Sequence, residues 1–207
     1  MIRHMTRRDR KFCPRLFQSM HEDRKQVFVD LLKWDIDHDG RYEQDEYDTA
    51  DAQYLILQDE ETSEHLGSVR LLPTTRGHIL GDVFPFLCDA DVPRGSEIWE
   101  ITRLVVSPRA GRQDRLMIRN MLGRAMIEYG HLSGIEKYTA VCEIGFLSQL
   151  LASGWRCDPL GLPQKVGTSM VGALLIHNDA DSLARTRAAW RFESPALRLE
   201  HRAQLAA

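Results

Sequence analysis

Three polar side chains interrupt an apolar stretch at Glu97–Ser107, which reads E-I-W-E-I-T-R-L-V-V-S. The β-branched and aromatic residues of this stretch are typical of a central β-strand. Glu100, Thr102 and Arg103 are costly to bury in such a strand unless they are paired, and functional sites often carry that cost. A regular strand would place Arg103 on the face opposite the other two, whereas a bulge at Trp99–Thr102 would let all three converge. We therefore predict either an active-site strand or a structural ion pair.

A second concentration of carboxylates lies in residues 35–51, a polar and acidic segment without apolar periodicity. We expect a long, mobile loop that closes over a site or is disordered when the site is empty. The spacing of Asp35–Glu46 fits the twelve-residue EF-hand loop, with Gly40 at position six. Tyr42 at position eight and the lack of a convincing exit helix argue against calcium, so a solvated acidic loop is the better interpretation.

Composition limits the class of protein. The chain has 207 residues, of which 43% are hydrophobic and 28% charged, and this suits a single globular domain spanning 1–207. A formal net charge of −3 argues against nucleic acid as the main partner. No run is long and apolar enough for a membrane span, and the basic N-terminus lacks the apolar segment of a signal peptide. The cysteines are scattered, without metal-ligand spacing, which favours reduced thiols in a cytoplasmic protein and no metal site.

The periodicity of the remaining chain predicts alternating strands and helices. We expect a helix from Pro14, strands at 53–58, 66–72, 97–107, 138–142 and 170–176, and helices at 116–132, 145–151 and 182–190. This order predicts an α/β (α+β) three-layer sandwich, with a mixed β-sheet flanked by helices. It is similar to the N-acetyltransferase-like (GNAT-type) fold, in which the strand after the central helix splays away to admit a pantetheine arm.

Arginines follow the central strand. Arg109, Arg112 and Arg115, together with backbone amides, are candidates to hold the phosphate of a phosphopantetheine arm, although the turn has one glycine and no phosphate-loop motif. A solvated basic turn is the alternative. With Arg119 and Arg124 these residues form a basic region in an otherwise acidic chain, which could dock an acidic partner.

The charged and aromatic residues together resemble the signature set of the acyl-homoserine-lactone synthases, the LuxI-type autoinducer synthases. The matching residues, in chain order, are Arg24, Phe28, Trp34, Asp45, Asp48, Arg70, Phe84, Glu100 and Arg103. The family's central strand more often reads Glu-x-Ser-Arg-Phe, whereas Thr102 and Leu104 stand here. The splayed strand has Cys142 where synthases of 3-oxo-acyl signals tend to have Thr, which puts a 3-oxo product in doubt.

The resemblance implies two substrates, S-adenosylmethionine and an acyl thioester, and no cofactor. The amine of S-adenosylmethionine attacks the thioester, and lactonisation then releases methylthioadenosine, giving a quorum-sensing signal. The donor is acyl carrier protein in most of the family, whereas Pro159–Pro163 looks like the branch that uses coenzyme A. Another GNAT-type CoA-dependent N-acyltransferase, or a non-catalytic binding protein on this fold, is the alternative function.

The resemblance also implies residue roles. Glu100 would be the general base, within an ion network in which Arg70 and Arg103 hold it together with Asp45 and Asp48. Binding of S-adenosylmethionine would fall to Arg24, Phe28, Trp34 and Phe84, with residues 1–51 as an N-terminal helix and mobile acidic lid. The acyl pocket would contain Thr102, Cys142, Phe146 and Met121, for each of which ordinary core packing is the alternative.

Overall fold

The structure, a computed structural model, describes residues 1–190 and 195–199. Their elements, in chain order, are β1 (Ile2–Thr6), α1 (Pro14–Arg24), a π-helical segment (Lys25–Leu31), β2 (Gln53–Gln58), β3 (His65–Pro73), α2 (Ile79–Asp82), β4 (Ile98–Val106), α3 (Arg112–Ser133), β5 (Lys137–Glu143), α4 (Ile144–Leu151), β6 (Cys157–Pro159), β7 (Gln164–Val166), β8 (Ser169–His177), α5 (Ser182–Trp190) and β9 (Leu197–Arg198). The strands form a mixed sheet, which the sequence predicted together with its flanking helices.

These residues divide into two compact units. The first contains Met1–Arg70, Arg103–Ala125 and 195–199, and the second contains Leu71–Thr102 and 126–190. In the first unit β1 pairs antiparallel with β2 and parallel with β9. Pro14 opens α1, where its missing N–H costs nothing. The buried face of α1 includes Leu16, Phe17 and Met20.

The second unit contains the splayed strand pair. β4 and β5 are parallel and pair from Ile98 with Lys137 to Ile101 with Ala140, and β5 then continues to Glu143. β5, β6 and β7 are all antiparallel to β8. The parallel pairing of β4 with β5 therefore extends over four residue pairs.

The register assigns residues of the second unit to opposite faces of the sheet. Glu100 pairs with Thr139, so their side chains share a face, and Cys142 lies on the other face with Ala140. Gly172 is the partner of Cys142, and a Cβ at Gly172 would come within 2.8 Å of Leu147 Cδ1 in α4. Glycine at this position therefore lets α4 pack closely on the face of Cys142.

The predicted elements are confirmed, apart from shifts of a few residues at their ends, but four strands, β1, β6, β7 and β9, and the short helix α2 were missed. β1 reads I-R-H-M-T, whose basic residues resemble a solvated terminus, and its pairing with distant β2 supplies the order that its sequence does not. β6 and β7 have three residues each and depend on β8 for their hydrogen bonds. No helix in the described part of the chain is long and apolar enough to cross a membrane.

Candidate functional site

A buried network of ions occupies the first unit. Three guanidinium groups face three carboxylates, so the formal charges balance. The members are Arg24, Arg70, Arg103, Glu43, Asp45 and Asp48. Because buried charges are stable only when they are paired in good geometry, the segment 35–51 is held to α1, β3 and β4 through these groups.

Arg24, in the last turn of α1, is a buried cation of this network. Its Nη1 and Nη2 donate to Asp48 Oδ1 and Oδ2 at 2.9 and 3.0 Å, and its Nε donates to Glu43. Burial alone would lower the pKa of Arg24, but the charges of Asp48 and Glu43 outweigh it and raise this pKa above its usual value. Arg24 is therefore fixed as a cation, and the bidentate pairing fixes its orientation.

Arg70 and Arg103 join the remaining carboxylates. Arg70 donates to both oxygens of Asp45, at 2.5 and 2.9 Å, and its Nη1 lies 2.9 Å from Asp48 Oδ1. The Tyr54 hydroxyl donates to the same oxygen of Asp48 at 2.8 Å. Burial raises the pKa of Asp48, but Arg24 and Arg70 reverse this and lower it far below its usual value; the pKa of Asp45 is lowered too, because Arg70 and Arg103 outweigh burial. Both carboxylates are therefore ionised at neutral pH.

The backbone of β4 changes conformation at Arg103. Its φ is +50°, in the left-handed region, which non-glycine residues seldom adopt inside a strand. Such a residue interrupts the regular alternation of side chains, as a bulge does. The sequence predicted the irregularity at Trp99–Thr102, so the left-handed residue lies one position later than expected.

Two aromatic rings stack beside this network. Phe28 lies in the π-helical segment, and its ring is 4.8 Å from that of Trp34 at an angle of 18°. The guanidinium carbon of Arg103 lies 5.6 Å from the Phe28 ring centre, within range of a cation–π contact. Phe28 is buried and Trp34 half-buried, so the open side of the pair is the side of Trp34.

Exposure differs among the network's members in a way that bears on ligand binding. The side chains of Glu43, Arg24, Arg70 and Asp48 are buried, whereas Asp45 and Arg103 are 14% and 10% exposed. The reachable end of the network thus offers one carboxylate and one guanidinium. That pair matches a ligand that carries both an ammonium and a carboxylate group.

Glu100 lies in the second unit and is fully buried. Its Oε2 accepts from the backbone N–H of Ile79 and its Oε1 from that of Leu80, both at 2.7 Å. These two contacts orient the carboxylate. On the neighbouring strand, the hydroxyl of Thr139 is buried and finds no hydrogen-bond partner among the described residues.

The other predicted residues of the second unit are divided between its two faces. Phe84 packs on the apolar cluster of Leu80, Leu87 and Ala173. The register puts Thr102 on the face of Glu100 and Cys142 on the opposite one. Burial raises the pKa of the Cys142 thiol to about 12, with smaller contributions from Cys157 and Glu143, so it is an unreactive thiol.

The remaining two residues of the predicted acyl pocket belong to different compact units. Phe146 is half-buried on α4 in the second unit, and Met121 is half-buried on α3 in the first. Their roles as pocket residues remain predictions.

The three arginines predicted to hold a phosphate lie in the first unit and differ in their surroundings. Arg109 donates from Nη1 and Nη2 to the two oxygens of buried Asp23, at 2.7 and 3.1 Å. Arg115 donates to the carbonyls of Ala110 and Pro108, so it closes the turn after β4. Arg112 is exposed at the start of α3. A phosphate ligand would therefore compete with a carboxylate for Arg109.

The partner of Arg109 belongs to a chain of hydrogen bonds of the aspartate–histidine–serine type. Asp23 Oδ2 lies 2.7 Å from His65 Nδ1, and His65 Nε2 lies 2.9 Å from Ser68 Oγ. All three side chains are buried. Burial lowers the pKa of His65, against the opposing effect of Asp23. Because Ser68 is inaccessible to a substrate, this arrangement is not a nucleophile site.

Two acidic residues of the EF-hand-like spacing are engaged by other groups. Among the residues that the structure describes, no group of three or more histidine, cysteine or carboxylate side chains could hold a metal ion. Glu43 is occupied by Arg24 and Arg103, and Asp39 Oδ1 accepts from the N–H groups of Arg41 and Tyr42.

Glu43 is the functional candidate that sequence reasoning missed. It stands in an acidic segment with many similar neighbours, and only the EF-hand spacing had singled it out. Its burial, which distinguishes it from exposed Glu46, depends on long-range contacts with Arg24 and Arg103. No local pattern in the sequence carries that information.

The chain is similar to known proteins over most of its length. A family model described as autoinducer synthase matches residues 9–186. An acyl-homoserine-lactone synthase of Rhizobium etli is 30% identical over 176 residues, which cover 83% of this chain and 82% of that protein. The solved structure of MesI, described as a CoA-dependent acyl-homoserine lactone synthase, has 26% identity and a TM-score of 0.83, covering 95% of this chain and 98% of its own. A putative N-acetyltransferase from Lactobacillus plantarum, 15% identical with a TM-score of 0.53 over 78% of this chain and 90% of its own, shares the fold.

Proposed function

The chain belongs to the autoinducer synthase family, the acyl-homoserine-lactone synthases, and on that premise we propose that it is an acyltransferase joining an acyl thioester to S-adenosylmethionine. The product would be an acyl-homoserine lactone, a signal of the quorum-sensing type. S-adenosylmethionine and the thioester are both consumed, so we propose them as substrates and propose no cofactor.

The observation that carries this proposal is the half-open end of the ion network beside an aromatic stack. Asp45 suits the ammonium group of the methionyl moiety and Arg103 its carboxylate. The stacked rings of Phe28 and Trp34 suit the sulfonium and the adenine, because an aromatic face attracts a cation and stacks on a base. Arg24 and the other buried members position these groups. Phe84 is a further residue proposed for this substrate.

The reaction has two steps whose atoms balance. The amine nitrogen attacks the thioester carbonyl, a C–N bond forms, the C–S bond of the thioester breaks, and the amine gives up a proton. The methionyl carboxylate then attacks its own γ-carbon, a C–O bond closes the lactone, and the bond to the sulfonium breaks to release methylthioadenosine. The second step is intramolecular, so holding the substrate folded supplies much of its acceleration.

We assign the role of general base in the first step to Glu100, directly or through one water. The N–H groups of Ile79 and Leu80 fix its carboxylate, and a carboxylate oxygen can accept more than one hydrogen bond. A placed base of this kind contributes about 10²–10⁴-fold to the rate. Asp45 is ionised too, but Arg70 and Arg103 outweigh burial and lower its pKa below the usual value, which makes it a weaker base.

For the acyl donor we propose a coenzyme A thioester as the first candidate, because MesI is described as CoA-dependent and the 159–163 segment looks like that branch of the family. Acyl carrier protein is the second donor to compare. Arg112 and Arg115 are proposed for the pantetheine side, and Thr102, Cys142, Phe146 and Met121 for the acyl group.

We propose that residues 1–51 act as a lid. Glu43 and Asp48 anchor part of the acidic segment through buried ion pairs, so movement would concentrate between Trp34 and Asp39. A cytoplasmic location is proposed on the four free cysteines, since disulfides form in oxidising compartments.

The test is an assay of purified protein with S-adenosylmethionine and a panel of acyl-CoA and acyl carrier protein donors. Methylthioadenosine release that depends on the donor, together with the mass of an acyl-homoserine lactone, is the expected result. Conversion to an acylated amine without the lactone would favour a different N-acyltransferase. No release with any donor, from protein that is shown to be folded, would overturn the proposal.

A further inference from the structure

The pairing of Arg109 with Asp23 has no part in the chemistry proposed above. We infer that Arg109 and His65 act through Asp23 as positioning residues for S-adenosylmethionine, and that Arg109 is not a phosphate ligand for the acyl donor. This inference rests on the proposed function. All three residues lie in the first unit, on three different segments of the chain.

Asp23 is a buried carboxylate whose two oxygens contact Arg109 and His65. Oδ1 accepts from Arg109 Nη1 at 2.7 Å, and Oδ2 accepts from Arg109 Nη2 at 3.1 Å and lies 2.7 Å from His65 Nδ1. A buried charge of this kind is stable only while its partners stay in place. The position of Asp23 is therefore determined by β3 and by the turn after β4.

Arg109 has little capacity left for a second anion. Its Nη2 also donates to the carbonyl of His65 at 3.1 Å, and its Nε lies 3.7 Å from Glu64 Oε2. Its side chain is 45% exposed, but the guanidinium edge is turned to buried Asp23. To bind Arg109, a phosphate would have to displace the buried carboxylate of Asp23 and so remove its countercharge.

The position of Asp23 in the chain is what connects this pair to ligand binding. Asp23 immediately precedes Arg24, at the point where α1 ends and the π-helical segment with Phe28 begins. In a helix, neighbouring residues project about 100° apart, so the two side chains reach different sets of partners. Asp23 and Arg24 together fix both the rotation and the axial position of the turn from which Phe28 projects toward Trp34.

Two further contacts hold this turn from the same side. Ser19 Oγ, one turn earlier in α1, accepts from the backbone N–H of His65 at 2.8 Å, and Ser68 Oγ contacts His65 Nε2. The histidine ring is thus held at both nitrogens. Loss of Arg109 would leave Asp23 with His65 alone, and the turn would lose its charged anchor.

The experiment compares Arg109→Met with the control Arg15→Met. Arg15 makes an exposed ion pair with Glu64 at 2.9 Å. The control substitution therefore removes an ion pair of α1 without changing a partner of Asp23. For Arg109→Met we expect the Kd of S-adenosylmethionine, measured by calorimetry, to rise about tenfold, with the KM of the acyl thioester changed less than about twofold. Arg109→Lys keeps the charge but not the bidentate fork, and should recover part of the affinity. Arg15→Met should behave as the wild type.

The inference would be overturned if Arg109→Met raised the KM of the acyl thioester and left the Kd of S-adenosylmethionine unchanged. Arg109 would then be a residue that binds the acyl donor. Equal changes in both constants would also overturn it. A double-mutant cycle with Asp23→Asn and Arg109→Met, read as urea unfolding, should show effects that are not additive. Additive effects would mean that the pair is not coupled. Failure of the proposed function itself is distinguishable, because the wild type would then neither bind S-adenosylmethionine nor release methylthioadenosine.

Discussion

Arg103 Nη2 donates to Glu43 Oε1 at 3.0 Å and to Asp45 Oδ2 at 2.8 Å, so one nitrogen joins a buried carboxylate to a partly exposed one. The left-handed backbone at Arg103 accompanies this contact. A sparsely populated backbone conformation costs about 1–3 kcal/mol and persists only where its surroundings enforce it. The contacts to Glu43 and Asp45 supply that constraint, so the strain is tied to the ion network.

Glu43→Gln should strongly destabilise the fold. Glu43 is the shared partner of Arg24 and Arg103, and its removal leaves two buried guanidinium groups with one fewer countercharge. Breaking a buried pair from one side costs about 3–5 kcal/mol, and we expect a loss of that size in the free energy of unfolding in urea.

Glu46→Gln is the matched control, because Glu46 is exposed in the same segment. Its free energy of unfolding should stay within about 0.5 kcal/mol of the wild type. If the two variants were equally stable, the role assigned to Glu43 would be wrong.

Trp34→Ala should weaken binding of S-adenosylmethionine and leave the acyl donor nearly unaffected. The ring of Trp34 is half-buried and stacks on Phe28, so the substitution removes one face of the proposed adenosyl site. Aromatic stacking on a base contributes about 1–3 kcal/mol, which corresponds to a rise in Kd of about tenfold or more by calorimetry. Phe12→Ala, at an exposed ring, is the control. Equal losses for both substrates would indicate a general folding defect instead.

The sequence predicted the elements whose patterns are local and left out those that depend on distant partners. The apolar run at Gln53–Gln58 and the periodicity of α5 are sufficient to identify these elements, which have the predicted bounds. β1, β6 and β7 are short and polar or proline-containing, and their order comes from neighbouring strands.

The same limit applies to the site. Arg103 was noticed as a charged residue within an apolar strand, and Arg24 and Arg70 were named through a family resemblance; each of the three contacts Asp45 or Asp48. The resemblance gave no information about the two backbone N–H groups of α2 that donate to Glu100. The pairing of Arg109 with Asp23, 86 positions apart, was also beyond any local pattern.

Glu100→Gln should lower kcat for amide formation by about 10²–10⁴-fold, the range expected for loss of a general base. A glutamine has one acceptor oxygen where Glu100 uses two, so one of the N–H groups of Ile79 and Leu80 loses its partner. We therefore also expect a loss of about 1–3 kcal/mol in stability. Steady-state kinetics at a temperature well below the Tm of the variant separates the two effects. Turnover at the wild-type rate would remove Glu100 as the base.

His21 should make the folded chain sensitive to mild acid. Its ring is buried, with Nδ1 2.9 Å from the carbonyl of Glu43, and burial, followed by the charge of Arg24, lowers its pKa to about 4. The unfolded chain has a histidine pKa of about 6.5, so between pH 6.5 and pH 4 it binds a proton that the folded chain does not. Stability therefore falls as the pH falls through this window, by up to about 1.4 kcal/mol per pH unit from this group.

The measurement is the free energy of unfolding in urea at pH 7 and at pH 5 for the wild type, His21→Gln and His38→Gln. His21→Gln should lose about 2 kcal/mol less than the wild type between the two pH values, because glutamine does not titrate. Burial also lowers the pKa of His65, so part of the pH dependence of stability remains in His21→Gln. Asp48 has a lowered pKa, so it contributes to the pH dependence of stability only at pH values below the ordinary pKa range of an aspartate. His38 is exposed in the folded chain, so its variant should follow the wild type. A pH dependence of His21→Gln equal to that of the wild type would show that His21 titrates alike in the folded and unfolded chains, contrary to its burial beside Arg24.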